Sequence, residues 1–248
     1  METTHTPTPP PGRGARLATV GLLGVISVAG IGASFTERVE RSQTDRFQSP
    51  AKPSMSFSAD NAEVDVDTAP TTEVTLTRTV TWAGPDGPAT PQLLPSGELR
   101  MRGCDVPWWK RLATYGTCSA RYSIVMPNGR SLAATSDTGS VRARGAFDAL
   151  ALRTDVGDII STGLSARTLR ATVDVGEVNA VLTNTPDSVV ARADVGSVTL
   201  TLPAGQYNIR ATTDIGDVNV DASLSNPQST RTIDVRVDVG DITIRVAR

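Results

Sequence analysis

The stretch Thr-Asp-Val-Gly-Asp-Ile at residues 154–159 decides the fold of this chain, because it recurs with small changes along the second half of the sequence. Six copies contain an Asp-x-Gly corner: Asp137 and Gly139, Asp155 and Gly157, Asp174 and Gly176, Asp194 and Gly196, Asp214 and Gly216, and Asp238 and Gly240. Their aspartates are 18, 19, 20, 20 and 24 residues apart. A period in this range predicts a solenoid or array in which each repeat stacks on its neighbours.

Apolar residues also repeat around each corner, five and three positions before the aspartate and one and four positions after it. In the second copy these are Leu150, Leu152, Val156 and Ile159. We expect them to form inward-facing columns when the repeats stack, and the change of parity between the last two positions predicts a corner between two strands. Residues 59–64, Ala-Asp-Asn-Ala-Glu-Val, form a degenerate seventh copy without the glycine.

The residue types explain how the corner is built. Glycine stands where a type II turn requires a positive φ, and the preceding aspartate can accept a hydrogen bond from a backbone N–H two residues later. Stacking would bring the aspartates into a column about 4.8 Å apart, where water, turn N–H groups or a shared cation must offset their repulsion. The leading interpretation is therefore that Asp and Gly serve to build the corner. Calcium ions bound along the column of aspartates are the alternative, and no cofactor is expected.

Composition favours the same architecture. Aromatic residues make up only 4% of the chain, so the core must be assembled from many small and β-branched side chains. The net charge of −2 provides no broad basic surface for a phosphate backbone, and nucleic acid is not an expected partner. We predict an all-β fold, a single-domain β-solenoid over residues 57–248.

The pattern of the N-terminal region predicts a membrane anchor. Residues 17–35 carry no charge and would span about 28 Å as a helix, which predicts one transmembrane helix. A cleaved signal peptide, with small residues at 28–30 or 31–33, is the alternative. A short disordered tail at 1–16 precedes this segment and a linker at 36–56 follows it. Arginines on both sides leave the orientation undecided by charge.

The two cysteines, Cys104 and Cys118, enclose a 13-residue loop that a disulfide can close. Such a bond would place the repeat domain outside the cytosol, which predicts a single-pass cell-membrane protein with an extracytoplasmic domain. Two reduced and unrelated thiols are the alternative. A metal site is not expected, because the only histidine, His5, lies in the N-terminal tail.

The loop at 104–118 interrupts the repeats, between strand-like stretches at 74–82 and 121–126. It gathers aromatic and basic side chains as a candidate binding patch: Trp108, Trp109, Lys110, Arg111 and Tyr115. These residue types dominate binding hot spots, so the loop can recognise a protein, a glycan or a lipid surface. Alternatively, it caps the open end of the solenoid. Both roles can hold at once.

These motifs make the chain similar to the bacterial putative-adhesin family, β-strand-repeat domains of unknown function that often follow a single membrane segment. The resemblance rests on the Asp-x-Gly corners, on Val-Met-Pro-Asn-Gly at 125–129 and on Leu-Pro-Ala-Gly-Gln-Tyr at 202–207. It covers residues 58–248 and implies an envelope-exposed domain. Family members commonly have Ser-Gly where this chain has Asp-x-Gly, and the family supplies no catalytic residues to carry over.

Three functions are compatible with this reading. The leading hypothesis is a non-enzymatic, adhesin-like binding or scaffolding module at the cell envelope, with an envelope protein or a glycan as partner. An accessory sensor of envelope stress is an alternative, although only the tail at 1–16 would be available for signalling. A polysaccharide-active enzyme is a third, because β-helices can hold paired carboxylates. The even spread of acidic residues and the lack of histidine in the domain disfavour catalysis.

Overall fold

The computed structural model describes residues 40–83, 92–93, 99–101 and 118–247, and these form strands joined by tight turns. The strands are β1 Glu40–Pro50, β2 Ser54–Asn61, β3 Glu63–Ala69, β4 Glu73–Ala83, β5 Gln92–Leu93, β6 Leu99–Met101, β7 Cys118–Pro127, β8 Arg130–Thr138, β9 Val141–Val156, β10 Ile159–Val175, β11 Val178–Leu182, β12 Ser188–Val195, β13 Val198–Leu202, β14 Asn208–Ile215, β15 Val218–Val220, β16 Thr232–Val239 and β17 Ile242–Val246. One 3-10 helix, Ala222–Leu224, follows β15. The predicted all-β class is confirmed.

Each repeat contributes one rung, which consists of the strand segment before a corner and the segment after it. Neighbouring rungs pair in parallel with equivalent residues opposite each other, so that Leu150 lies opposite Leu169, and Leu169 lies opposite Val189. The segments after the corner pair in the same way, with Ile159 opposite Val178. The stack buries one continuous apolar core between the two sets of strands, as expected of a β-solenoid.

The rungs do not stack in sequence order. The last rung, β16 and β17, lies between the Asp194 rung and the Asp214 rung, since β16 pairs with both β12 and β14. The corner hydrogen bonds follow the same order: Gly196 donates to the carbonyl of Val239 and Gly240 donates to that of Ile215, at 2.9 and 2.8 Å. The 24-residue spacing, the longest of the series, supplies the chain that runs back past the end rung.

Three of the four expected inward columns are confirmed. In the second copy, Leu150, Leu152 and Ile159 are all buried. The column one position after the aspartate was expected to point inward, and that is wrong: Val156 is 50% exposed. The corner begins at this residue, because the glycine that follows reverses the chain, so the side chain projects from the apex. The inward position is taken instead by the residue before the aspartate, here Thr154.

The degenerate copy is confirmed as a seventh rung. Its strands β2 and β3 pair in parallel with β8 and β9, and Ala62, which replaces the glycine, donates its N–H to the carbonyl of Thr138 at 2.9 Å. On the far side of this rung β3 pairs with β7, β7 with β4, and β4 with β1. Two antiparallel pairings therefore extend one sheet beyond the repeats.

The linker expected at 36–56 is corrected by the structure. Glu40–Pro50 forms β1, which pairs antiparallel with β4 along its whole length, and β2 already begins at Ser54. The polar sequence of β1 suits an edge strand, since such a strand needs only one hydrogen-bonded neighbour and meets water on its other side. The predicted membrane helix at 17–35 and the tail at 1–16 lie outside the described residues. Among the residues described, no helix has the length and hydrophobicity that a membrane span requires.

Candidate functional site

The corners stack into one lateral edge of the solenoid, and glycine makes this close stacking possible. Gly157 has a φ of 140°, a region that side chains rarely adopt. A Cβ on this residue would overlap the carbonyl oxygen of Gly139 in the neighbouring rung. Gly157 also donates its N–H to the carbonyl of Val175 at 2.9 Å, so the corners hydrogen-bond to each other. The positive φ predicted from the sequence is confirmed.

Aliphatic side chains project from the apex of this edge. In stacking order they are Val156, Val175, Val195, Val239 and Ile215, with exposed fractions of 50%, 49%, 50%, 43% and 66%. At the strand spacing they form a ridge about 19 Å long, which we call the apex column. Large exposed apolar side chains in an unbroken row mark interaction surfaces more often than isolated ones do.

Carboxylates flank the apex column on both sides. The first side carries the leading aspartates Asp60, Asp137, Asp155, Asp174, Asp194, Asp238 and Asp214. The second side carries the residues three positions later, among them Asp158, Glu177, Asp217 and Asp241. We call the apex column together with these two flanks the corner edge. Its chemistry is apolar along the middle and acidic along both borders.

Four of the leading aspartates are held by arginines, not by the turn N–H groups expected from the sequence. Arg153 lies two residues before Asp155, and its Nη2 is 2.9 Å from Asp155 Oδ1 and 3.0 Å from Asp174 Oδ1. Arg236 repeats the arrangement, with Nε 3.2 Å from Asp238 Oδ1 and Nη2 3.6 Å from Asp214 Oδ2. Each arginine therefore bridges two rungs. The sequence signal was available, since residues two apart share a strand face.

The second acidic flank makes the backbone contacts that the first does not. Asp158 Oδ1 accepts the N–H of Glu177 at 3.0 Å, and Asp241 Oδ1 accepts the N–H of Asp217 at 2.9 Å. In each pair the carboxylate belongs to one rung and the N–H to the next. The acidic residue after the glycine thus ties adjacent corners together, whereas the expected contact was between the leading aspartate and a backbone N–H of its own turn.

The neighbouring carboxylates affect the pKa of Asp137. Burial raises the pKa of this carboxyl above its ordinary value, and the charges of Asp60 and Asp155 in the rungs on either side raise it further. The column of aspartates expected from stacking is therefore present, with unfavourable repulsion at this rung. In the parts of the chain that the structure covers, no group of three or more His, Cys, Asp or Glu residues could hold a metal ion.

One shallow groove crosses the outer face of the strands before the corners. It is lined mainly by small residues, including Ser131, Ala133, Ala149 and Ala151, with Arg170 as its charged member. No carboxylate lines it. Glycosidic cleavage needs two carboxyl groups about 5 to 10 Å apart on either side of the substrate, and this groove does not offer them.

The predicted patch of Trp108, Trp109, Lys110, Arg111 and Tyr115 lies outside the described residues, as does Cys104, while Cys118 opens β7. The strands on either side of the excursion, β6 and β7, are described. β6 pairs with β2, and β7 pairs with β3 and β4, so both lie at the β2–β3 end. The cap and the patch remain predictions.

Several solved structures are similar to this chain. A "putative cell adhesion protein" from Clostridium sporogenes covers 83% of this chain and 100% of its own, at 14% identity and a TM-score of 0.46. A "putative adhesin" from Bacteroides fragilis covers 83% and 97%, at 13% identity and a TM-score of 0.46. A "putative lipid binding protein" from Parabacteroides distasonis covers 84% and 97%, at 9% identity and a TM-score of 0.27.

Sequence comparisons decide the family. A search of curated proteins gives no significant match. The family model described as Toastrack DUF4097 matches residues 95–245, which include all six Asp-x-Gly corners and more than half of the chain. The resemblance inferred from the corner motifs is thereby confirmed, and the chain belongs to the Toastrack DUF4097 family.

Proposed function

We propose that this protein is a non-enzymatic, adhesin-like binding module, displayed outside the cytosol at the cell envelope, and that it binds through the corner edge. The observation that carries the proposal is the apex column, with Val156, Val175 and Val195 each about half exposed. Exposing such a row costs solubility, and the cost is offset when a partner covers it.

The charges of the corner edge indicate the partner. Carboxylates are numerous on both flanks, and two of the three arginines beside the leading aspartates, Arg153 and Arg236, are already paired with them, while Arg192 is exposed. A partner that alternates apolar and basic side chains would complement this surface, as a segment of an envelope protein can. An anionic lipid surface would be repelled by it.

The experiment is a capture from envelope extract with the purified full chain, compared with the variant V156T/V175T/V195T. Threonine keeps the β-branched shape, and Thr138 naturally occupies the equivalent position of the first repeat. We expect the threonine variant to lose a partner that the wild type retains, and we expect high salt to release that partner. The matched control V125T/V181T/V190T changes three partly exposed valines away from the apex column and is expected to retain the partner.

A second arm separates the corner edge from the predicted loop patch. In W108A/W109A the apex column is intact, so capture through the corner edge is expected to survive. Loss of the partner in this variant alone would show that the partner binds the loop and not the corner edge. If neither variant changes what is captured, the binding module proposal fails.

A further inference from the structure

Along β14 and β15, within the described residues, the end rung has a paired strand on one side only; immediately before β14, Tyr207 is hydrogen-bonded to Leu224 and Asn226 of the returning chain. β14 pairs with β16, and β15 pairs with β17. The outer backbone groups of β14 are therefore free to hydrogen-bond to another strand. Exposed edges of this kind are templates for pairing with a second chain unless they are protected.

The side chains of β14 are also left partly uncovered. Ile209 and Ala211, which stand in the inward columns, are only half-buried, whereas their counterparts Ile233 and Val235 in the neighbouring rung are buried. The outward positions of β14 carry Arg210, Thr212 and Asp214. β14 thus presents an open ladder with a half-exposed apolar row and two opposite charges four residues apart.

We propose that the end rung binds the end rung of a second copy of this chain, with β14 antiparallel to its symmetry mate and the two-fold axis at Thr212. In that register Arg210 of each copy lies opposite Asp214 of the other. The same register places the half-buried Ile209 opposite Ile215 of the apex column, and Ala211 opposite Thr213. Opposite-charge and aliphatic cross-strand pairs are the combinations that stabilise antiparallel sheets.

The neighbouring registers are worse for a stated reason. Centring the pairing on Arg210 or on Asp214 would put like charges directly opposite each other, which is destabilising. Centring it on Ala211 or Thr213 would leave both charges opposite uncharged residues. The sequence of β14 therefore selects one antiparallel register out of five.

Head-to-tail stacking is disfavoured by the other end of the molecule. There the edge of β2 is covered by β6, and the edge of β7 is covered by β4, which in turn is covered by β1. A head-to-tail contact would also leave an open end on every added copy and build filaments, whereas a two-fold contact closes at a dimer. The pairing proposed uses Asp214 and Ile215 from the last rung of the corner edge, but it does not require the partner that binds this edge.

The test exchanges the charges at positions 210 and 214. Dimerisation is measured by sedimentation velocity on the full chain in a mild detergent. We expect the wild type to form a dimer, and R210D or D214R alone to weaken it by about tenfold or more, because each places like charges opposite twice. The double variant R210D/D214R restores both pairs across the contact but loses the ion pair between Asp214 and Arg236, and it is expected to dimerise more tightly than either single variant.

Mixing the two single variants sharpens the test. In a mixed dimer both acidic side chains of the R210D chain lie opposite the two basic side chains of the D214R chain, so the two variants should bind each other more tightly than either binds itself. R170D is the matched control, since Arg170 is exposed at the equivalent strand position of an inner rung, and it should dimerise like the wild type. A monomeric wild type, undiminished single variants, or failure of the mixture to associate would each overturn the proposal.

Discussion

The inner rungs and the end rung carry nearly the same motif in opposite environments. Residues 154–159 read Thr-Asp-Val-Gly-Asp-Ile and residues 213–218 read Thr-Asp-Ile-Gly-Asp-Val. Yet Ile159 is fully buried, whereas Val218 at the same position is 45% exposed. The motif therefore determines the shape of a rung, and the burial of a rung is decided by whether another rung lies on each side. A solenoid spreads its stability over such neighbour contacts.

Substitution of the corner glycine is expected to give the largest difference in stability loss between an inner rung and the end rung. We expect G196A to lower the free energy of unfolding by about 3–5 kcal/mol, because the strain of a positive φ adds to overlap with the backbone of Gly176. G216A carries the same strain, but the end rung can move outward, and we expect a loss of about 1–3 kcal/mol. Urea unfolding followed by far-UV circular dichroism measures both. Equal losses would contradict the idea that the end rung is free to shift.

Truncation of the inward valine is expected to have the next largest effect. Val198 and Val218 hold the same motif position, and Val198 is fully buried. V198A should cost about 2 kcal/mol, since it leaves a cavity between two fixed rungs. V218A should cost less than about 1 kcal/mol because water already reaches that side chain. The comparison is made by the same unfolding experiment at a protein concentration too low for association.

Removal of a leading aspartate charge should have small effects of opposite sign in the two regions. The folded-state pKa of Asp137 is raised, so the folded chain holds this proton more strongly than the unfolded chain does. That contribution to stability is present below the unfolded pKa and is lost as the pH rises through the folded pKa. D137N cannot ionise, and we expect it to be more stable than the wild type at pH 7, with the difference shrinking towards pH 3.

D214N is the matched variant in the end rung. It removes the carboxylate that lies 3.6 Å from Arg236, so it should lower stability at pH 7, by at most about 1 kcal/mol for an exposed ion pair. Thermal unfolding of both variants across this pH range provides the measurement. A gain in stability for D214N, or a loss for D137N at neutral pH, would show that charge crowding does not distinguish the two rungs.

Much of the fold could be predicted from residue types alone. Glycine at the corner requires a positive φ, and period-two alternation of Leu, Ala and Val defines an inward face, so the rungs and most columns followed from local rules. The arginine bridges could also have been found, because Arg153 shares a strand face with Asp155. The corner motif instead favours a backbone N–H as the partner of the aspartate, because Asp-x-Gly is typical of turns in which the carboxylate accepts such a bond.

Two features were decided only by the tertiary structure. The place of the last rung between the Asp194 and Asp214 rungs depends on pairing between distant strands, and each rung offers the same Val and Gly pattern to either neighbour. The outward direction of Val156 depends on where the chain turns, a shift of one residue that alternation cannot detect. Repetition of the motif thus determined what a rung is, whereas long-range hydrogen bonding decided which rung is last and which aliphatic column meets water.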